Sequence, residues 1–352
     1  MKRLKILANI PKYDYGKPEL GESFEYNTFF RFFEDQGHQV TLFDYTTWFT
    51  QGGQELVEKK LQSVLGNNHF DLLFTVPLTN QFSERVLKML QRKNSGALSL
   101  AWMCDDKWRW ESFSQYIAPQ FDFAVTTDPG ALSKYESIGY NGAILSQWGF
   151  HPSLFKKKKE KFSYDVSFIG GSSAWRQFVI EKLREMHISV ACFGAGWENG
   201  RIGAEQMVNI YNQSKIVLNI SNSAQAYLPF LSWVKPFHKE KTLKETIAHS
   251  FPGFVEYFST PKRKEDIKAR FFEVTGTGAF LLSYSVEHLE KYLKNNQDIV
   301  TYDSIGDLQK KISYYLEHDD ERMKIAQHGY QTSQKKHTYQ KRFTDIFKEI
   351  GL

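Results

Sequence analysis

The sequence predicts an α/β protein of two doubly wound, Rossmann-like domains in tandem, with a cleft between them. Two observations carry this expectation. Short apolar runs alternate with amphipathic stretches, and the alternation starts again after a charged boundary near residue 150. Strand–helix alternation implies parallel strands joined by crossover helices that cover both faces of an open sheet. The length of 352 residues suits two such domains better than one core.

In the first half, strands are predicted over 4–9, 39–43, 72–76, 98–104, 123–126 and 143–145, with a helix over 24–36 stopped by Gly37. Ligands of such sheets sit at the carboxyl ends of the strands. That places interest on Asn9, Pro77, Cys104-Asp105-Asp106 and Thr127-Asp128. Trp148-Gly-Phe-His-Pro152 then leads into Lys156-Lys-Lys-Lys159, which reads either as a solvated linker or as a contact for anionic lipid headgroups. In the second half, strands are predicted over 166–169, 190–193, 216–220 and 279–283. Helices are expected over 174–186, 204–213 and 267–274, with further helical stretches to the C-terminus. From Ser223 to about Lys264 the pattern lapses into an aromatic-rich insertion, either a helical subdomain at the cleft or a partner surface. The expected division is 1–150, 151–335, and a C-terminal helix over 336–352 that packs back on the first domain.

Composition narrows the class. Hydrophobic residues at 41% and charged residues at 24% describe a soluble globular chain. The aromatic share of 16% fills core or stacks sugars and bases. A formal charge of +5 favours an anionic ligand, and without zinc-finger spacing or an RNP-type motif no nucleic-acid partner is expected. Cys104 and Cys192 have no metal-ligand spacing, which suits a reduced cytoplasmic protein. The opening residues read as a first strand, and no window approaches the roughly 20 apolar residues of a membrane span.

Two segments carry candidate chemistry. Phe168-Ile-Gly-Gly-Ser-Ser-Ala-Trp-Arg176 puts Gly170 and Gly171 between a strand and a helix. Glycine there lets backbone N–H groups approach an anion at a helix N-terminus, with Arg176 on the first turn, although a Gly-Gly pair is also an ordinary tight turn. Lys268 and Arg270 precede Glu273 by about one helical turn. Cations at a helix start suit a diphosphate, and a carboxylate accepts two hydrogen bonds from a vicinal diol such as ribose. A surface ion pair is the plainer reading. Asp105 and Asp106, just past a strand end, either orient an acceptor hydroxyl as a base or cap the next helix. Asp128 reads as a helix cap, His38 as support for a turn, and His151 as part of the interdomain connection.

Arg270-Phe-Phe-Glu-Val-Thr-Gly-Thr-Gly-Ala-Phe-Leu-Leu282 resembles the R-x-F-E-x-x-A-C-G-x-x-L signature of CgeB-type, spore-maturation-like glycosyltransferases, relatives of the group 1 family. The similarity continues through Ile325-Ala-Gln-His-Gly329 and His337-Thr-Tyr-Gln-Lys-Arg342. Upstream, Asp165-Val-Ser-Phe-Ile-Gly-Gly171, Phe193-Gly-Ala-Gly-Trp197 and Ile216-Val-Leu-Asn-Ile220 are similar to the donor domain of that family. The resemblance implies a GT-B architecture, two Rossmann-like domains facing across a cleft, with a nucleotide-sugar held by the C-terminal one. On this footing Gly170, Gly171, Arg176, Gly194, Trp197, Asn219, Lys268, Arg270 and Glu273 are expected around the donor, Glu273 on its ribose. Glu265 lies eight positions before Glu273, the spacing at which the wider group places a sugar-binding glutamate. Gly276-Thr277 stands where the signature has Ala-Cys, and the insertion looks longer than the family norm.

The implied activity is sugar transfer of hexosyltransferase type, with retention of anomeric configuration. No D-x-D motif stands at a suggestive position, so neither a metal nor a cofactor beyond the nucleotide-sugar is expected. The acceptor (protein, glycan, lipid or small molecule) stays open, as does peripheral membrane contact through the basic surface. Two other classes share the fold: a catalytically silent binding module, and a sugar-nucleotide epimerase with carboxylates and a histidine converging on the sugar.

Overall fold

The computed structural model describes residues 2–66, 68–79, 81–91, 96–220 and 265–352. The aromatic-rich insertion expected over 223–264 lies outside them. The described residues divide into two compact units, one of 2–147 with 343–352, the other of 148–220 with 265–342.

The first unit is built on six parallel strands in the order β2-β1-β3-β4-β5-β6. They are β1 (Lys5–Asn9), β2 (Gln39–Phe43), β3 (Leu72–Thr75), β4 (Leu98–Trp102), β5 (Phe123–Thr126) and β6 (Ala143–Leu145). All four residues of β3 are buried, as expected of a strand covered on both faces. The order reverses between β1 and β3, and there Asn9 Nδ2 donates to Thr75 Oγ1 at 2.9 Å. The helix expected over 24–36 forms with a π turn at Tyr26–Phe30 followed by the α-helix Arg31–Asp35. Much of the aromatic surplus is core: Phe29, Phe33, Phe74 and Phe343 are fully enclosed, with Phe33 and Phe343 rings 4.8 Å apart. Asp128 caps its helix by accepting from Gly130 N–H at 3.1 Å, and His38 Nδ1 accepts from Leu4 N–H at 3.2 Å.

The second unit holds five parallel strands in the order β11-β10-β9-β7-β8. They are β7 (Tyr164–Ile169), β8 (Ala191–Phe193), β9 (Ser214–Asn219), β10 (Leu281–Tyr284) and β11 (Val300–Tyr302). The sequence leads to helical stretches rather than a strand at β11, which forms by pairing Val300–Tyr302 with the edge of β10. The helix Ala174–Glu185 begins where Ser173 accepts from Arg176 N–H at 3.2 Å, and it returns the chain from β7 to β8. The helix Arg270–Gly276 precedes β10 and is buried along Phe271–Gly276. Among the described residues no helix is long and apolar enough to cross a membrane.

Candidate functional site

The carboxyl end of β7 runs into Gly170 and Gly171, and the loop after β8 is laced to it. Gly170 N–H donates to Phe193 O at 2.8 Å, and Ser172 N–H donates to Ala195 O at 2.8 Å. Trp197 Nε1 donates to Gly170 O at 2.8 Å, and its ring meets Phe168 edge-on at 5.9 Å. Gly194 sits at φ +126°, and a Cβ there would lie 2.3 Å from Gly170 O. Two physical reasons therefore demand glycine at 194, the left-handed backbone and the close approach. Gly194 and Trp197 brace the loop, and the space around Gly171 Cα is open.

Two arginines close over this loop. Arg176 donates through Nη1 to Gly171 O at 2.9 Å, and through Nε and Nη2 to Ile220 O at 3.2 and 3.1 Å. Arg270 enters from the start of its own helix. A Cβ built on Gly170 would lie 3.2 Å from Arg270 Nη1 and 3.3 Å from Arg176 Nη1, so both guanidinium groups converge on this one glycine. Burial first, and the Arg270 charge second, pull the Arg176 pKa down to about 10. Bringing two like charges together out of water costs free energy that a bound anion would recover. Burial alone would also lower the Arg270 pKa, but Tyr211 and Glu273 outweigh it and raise it. Arg270 Nε has no hydrogen-bond partner among the described residues.

Glu273 lies one turn along from Arg270 and is 5% exposed. Burial pushes its carboxyl up to about 7, against the opposing pull of Arg270. Glu265 is half-buried and close enough to Arg176 to favour that guanidinium's charged form. Lys268 reaches Asp266, Nζ to Oδ2 at 3.6 Å. Asn219 is engaged inside the sheet, donating to Ser283 Oγ at 3.0 Å while its carbonyl accepts from Tyr302 Oη at 3.0 Å.

Three tyrosines join this group: Tyr302, which stands in the stretch similar to the family, and Tyr211 and Tyr284, which sequence reasoning did not single out. Burial pushes the Tyr211 phenol up to about 12, and Arg270 opposes that shift. Tyr284 Oη donates to Asp266 O at 3.3 Å, and burial raises the pKa of Tyr284 and of Tyr302. Tyr284 ends a strand, so the carboxyl-end rule was a signal that could have found it. Tyr211 lies near the end of the helix Ala204–Asn212, and no local pattern marks it.

Asp105 and Asp106 belong to the first unit, and the fold treats them differently. Asp105 adopts a left-handed conformation at φ 65°, and its carbonyl accepts from Trp108 and Arg109 N–H at 3.2 and 3.0 Å. Its side chain makes no capping bond and is half-buried. Asp106 is enclosed and accepts from Tyr135 Oη at 3.1 Å. Burial raises its pKa, while the hydroxyls of Ser114, Thr126 and Tyr135 oppose the shift. Beside them, Arg109 is buried against the Phe113 ring, 4.0 Å from its centre, and donates to Leu78 O.

Residues 176–348, just short of half the chain, match the family described as glycosyl transferase-like. No curated protein matches the chain in sequence. Among solved structures, the chain is similar to HepE of Anabaena in complex with UDP and glucose, with a TM-score of 0.62, 12% identity, and coverage of 99% of this chain and 100% of that one. It is similar to a sucrose-phosphate synthase from Thermosynechococcus elongatus, with a TM-score of 0.61, 9% identity, and coverage of 98% and 99%. It also resembles a DNA-modifying β-glucosyltransferase whose substrate is uridine diphosphoglucose, with a TM-score of 0.53, 13% identity, and coverage of 98% of each chain. The fold is thus that of the two-domain, Rossmann-like GT-B proteins, and the family match across residues 176–348, within which the paired arginines lie, supports a GT-B glycosyltransferase.

Proposed function

We propose that this chain is a CgeB-type glycosyltransferase that takes a hexose from a nucleoside diphosphate-sugar and passes it to an acceptor hydroxyl. The convergence of Arg176 and Arg270 on Gly170 carries this reading. Two fixed cations beside an open glycine turn and a helix N-terminus match the geometry and charge of a diphosphate. Glu273 accepts hydrogen bonds from the ribose diol, and Glu265 faces the sugar. In the transfer step the bond from the anomeric carbon to the diphosphate oxygen breaks and a bond to the acceptor oxygen forms. The acceptor proton leaves, and the electron pair stays with the diphosphate. Negative charge therefore grows on the leaving group, where the two guanidinium groups already stand. Because this charge has a fixed cationic partner, we infer a metal-independent reaction; retention of configuration is what the resemblance to the group 1 relatives implies. On the acceptor side, Asp105 orients or deprotonates the hydroxyl. The UDP and UDP-glucose named for the similar structures make uridine the first base to test.

The test is a thermal-shift screen of UDP-, GDP-, dTDP- and CMP-sugars, followed by transfer and hydrolysis assays with and without a chelator. One nucleotide should raise the melting temperature at saturation. Arg270→Ala and Arg176→Ala should each weaken it by about 1.5–3 kcal/mol, the usual worth of a hydrogen bond to a charged group. A folded protein indifferent to every nucleoside diphosphate would overturn the donor site. Binding without turnover over a full acceptor panel would leave a silent binding module.

A further inference from the structure

The lysine run at 156–159 is not used by the donor site, and the fold gives it a definite place. It borders a cavity of about 650 Å³ in the second unit, within the range of small-molecule sites. Phe162 precedes β7, Ser214 and Lys215 open β9, and Gly278–Phe280 precede β10. The cavity therefore lies at the amino ends of these parallel strands, whereas Gly170 and Ile220 follow their carboxyl ends.

The lining is mainly basic, with Lys157, Lys158, Lys159, Lys215 and Arg322 against one carboxylate, Glu160. Lys157 Nζ is held by Gln327 Oε1 at 2.7 Å and lies over the Tyr330 ring at 5.1 Å. Lys158 Nζ is held by Asn209 Oδ1 at 2.6 Å. Both partners are neutral amide oxygens, so the cations are fixed in place without being neutralised. Among the described residues Lys157, Lys158 and Lys159 form no ion pair with a carboxylate, although Lys215 pairs with Asp165 at 2.6 Å. Gly278, at φ +76°, leaves room for the Lys157 stem, which a Cβ would meet at 2.8 Å. Beneath them Arg322 is 2% exposed, with Nη1 on Asp319 at 2.7 Å and Nη2 without a hydrogen-bond partner. Nη1 also donates to Tyr315 O, so Arg322 is anchored beneath the cavity and adds positive potential to it. Phe162, Phe280, Met323 and Ala326 supply apolar surface beside these charges.

From this we infer that the cavity is a second binding site, separate from the paired arginines, for a phosphate group carried on an apolar body. A free phosphate ester and a phospholipid headgroup share that chemistry. A merely solvated linker would not hold two lysine ammoniums on amide oxygens around a cavity that also contains a buried arginine.

The experiment compares the wild-type chain with Lys157→Gln/Lys159→Gln by calorimetry against inorganic phosphate and butyl phosphate. A parallel arm measures co-sedimentation with phosphatidylcholine vesicles, with and without phosphatidic acid. Saturable binding of a phosphate compound that the double variant weakens tenfold or more supports the site. Weakening confined to phosphatidic acid vesicles supports it and identifies a lipid headgroup as the source. Arg176 and Arg270 are intact in both proteins, so phosphate bound there contributes equally and cancels. Equal affinity in the two proteins, or no saturable binding by the folded wild type in any arm, overturns the inference. A failure of the donor reading appears instead as the lack of a nucleotide response, whatever the lysine variant does.

Discussion

At the residue scale, Glu273 shows how position changes chemistry. An ordinary glutamate releases its proton near 4.5, but burial holds this one to about 7. Between those values the folded state binds more protons than the unfolded state. The stability associated with this carboxyl is therefore full below 4.5 and is lost as pH rises through about 7. Glu273→Gln keeps the shape and cannot ionise, so it should flatten that slope and gain on the order of 1–3 kcal/mol over the wild type at pH 8 relative to pH 4.5. Urea titrations at both pH values check this, and an unchanged difference would refute the buried, raised carboxyl. Glu25, which burial also pushes up to about 7, is present in both proteins and drops out of the comparison. The identity of Glu273 and its spacing from Arg270 were legible in the sequence. Its burial was not, because enclosure depends on neighbours brought from elsewhere, such as Tyr211. The same holds for Arg176 and Arg270: each was legible as a cation near a helix start, and their meeting was not.

At the scale of elements, the strands and their following turns position the chemistry. The loop after β8 supports the loop after β7, and Gly194 is where the two touch. Gly194→Ala adds a Cβ 2.3 Å from Gly170 O in a left-handed backbone. It should cost about 1–3 kcal/mol and push Gly170 out of line with the two guanidinium groups, abolishing the nucleotide-induced thermal shift. Gly203→Ala, with open space around it, is the control and should leave the shift intact. A normal response from Gly194→Ala would show that the loop position is not critical. Long apolar runs such as 72–76 were readable as strands because both faces are covered. β11, defined by its pairing with β10, was not, nor was the break at Gly52 and Gly53 within the helical segment Tyr45–Gly66, where the backbone leaves helical geometry.

At the scale of the whole molecule, the last residues return to the first unit. Phe343 is fully buried, stacked with Phe32 at 5.2 Å and edge-on to Phe74 at 5.8 Å. Phe343→Ala should destabilise the first unit by about 3–5 kcal/mol, the usual cost of removing a core phenylalanine. Calorimetry should show the lower-melting transition of a chain whose second unit still responds to nucleotide. A variant as stable as the wild type would mean that the C-terminal segment is dispensable to that core.

Sequence by itself determined the class of fold, the restart of the pattern near residue 150, the glycine turn at 170–171 and the basic helix start with its glutamate. These are local properties: periodicity, glycine placement and charge at a helix end are all set within a few residues. Tertiary structure alone decided that Arg176 and Arg270, far apart along the chain, meet over one glycine. It also set Trp197 as a brace on Gly170 and Asn219 inside the sheet, enclosed Asp106 while leaving Asp105 half-buried, and set a lysine run around a cavity. Each of these depends on the order in which parallel strands pair, since that order chooses which loops share an edge of the sheet, and no single segment encodes it.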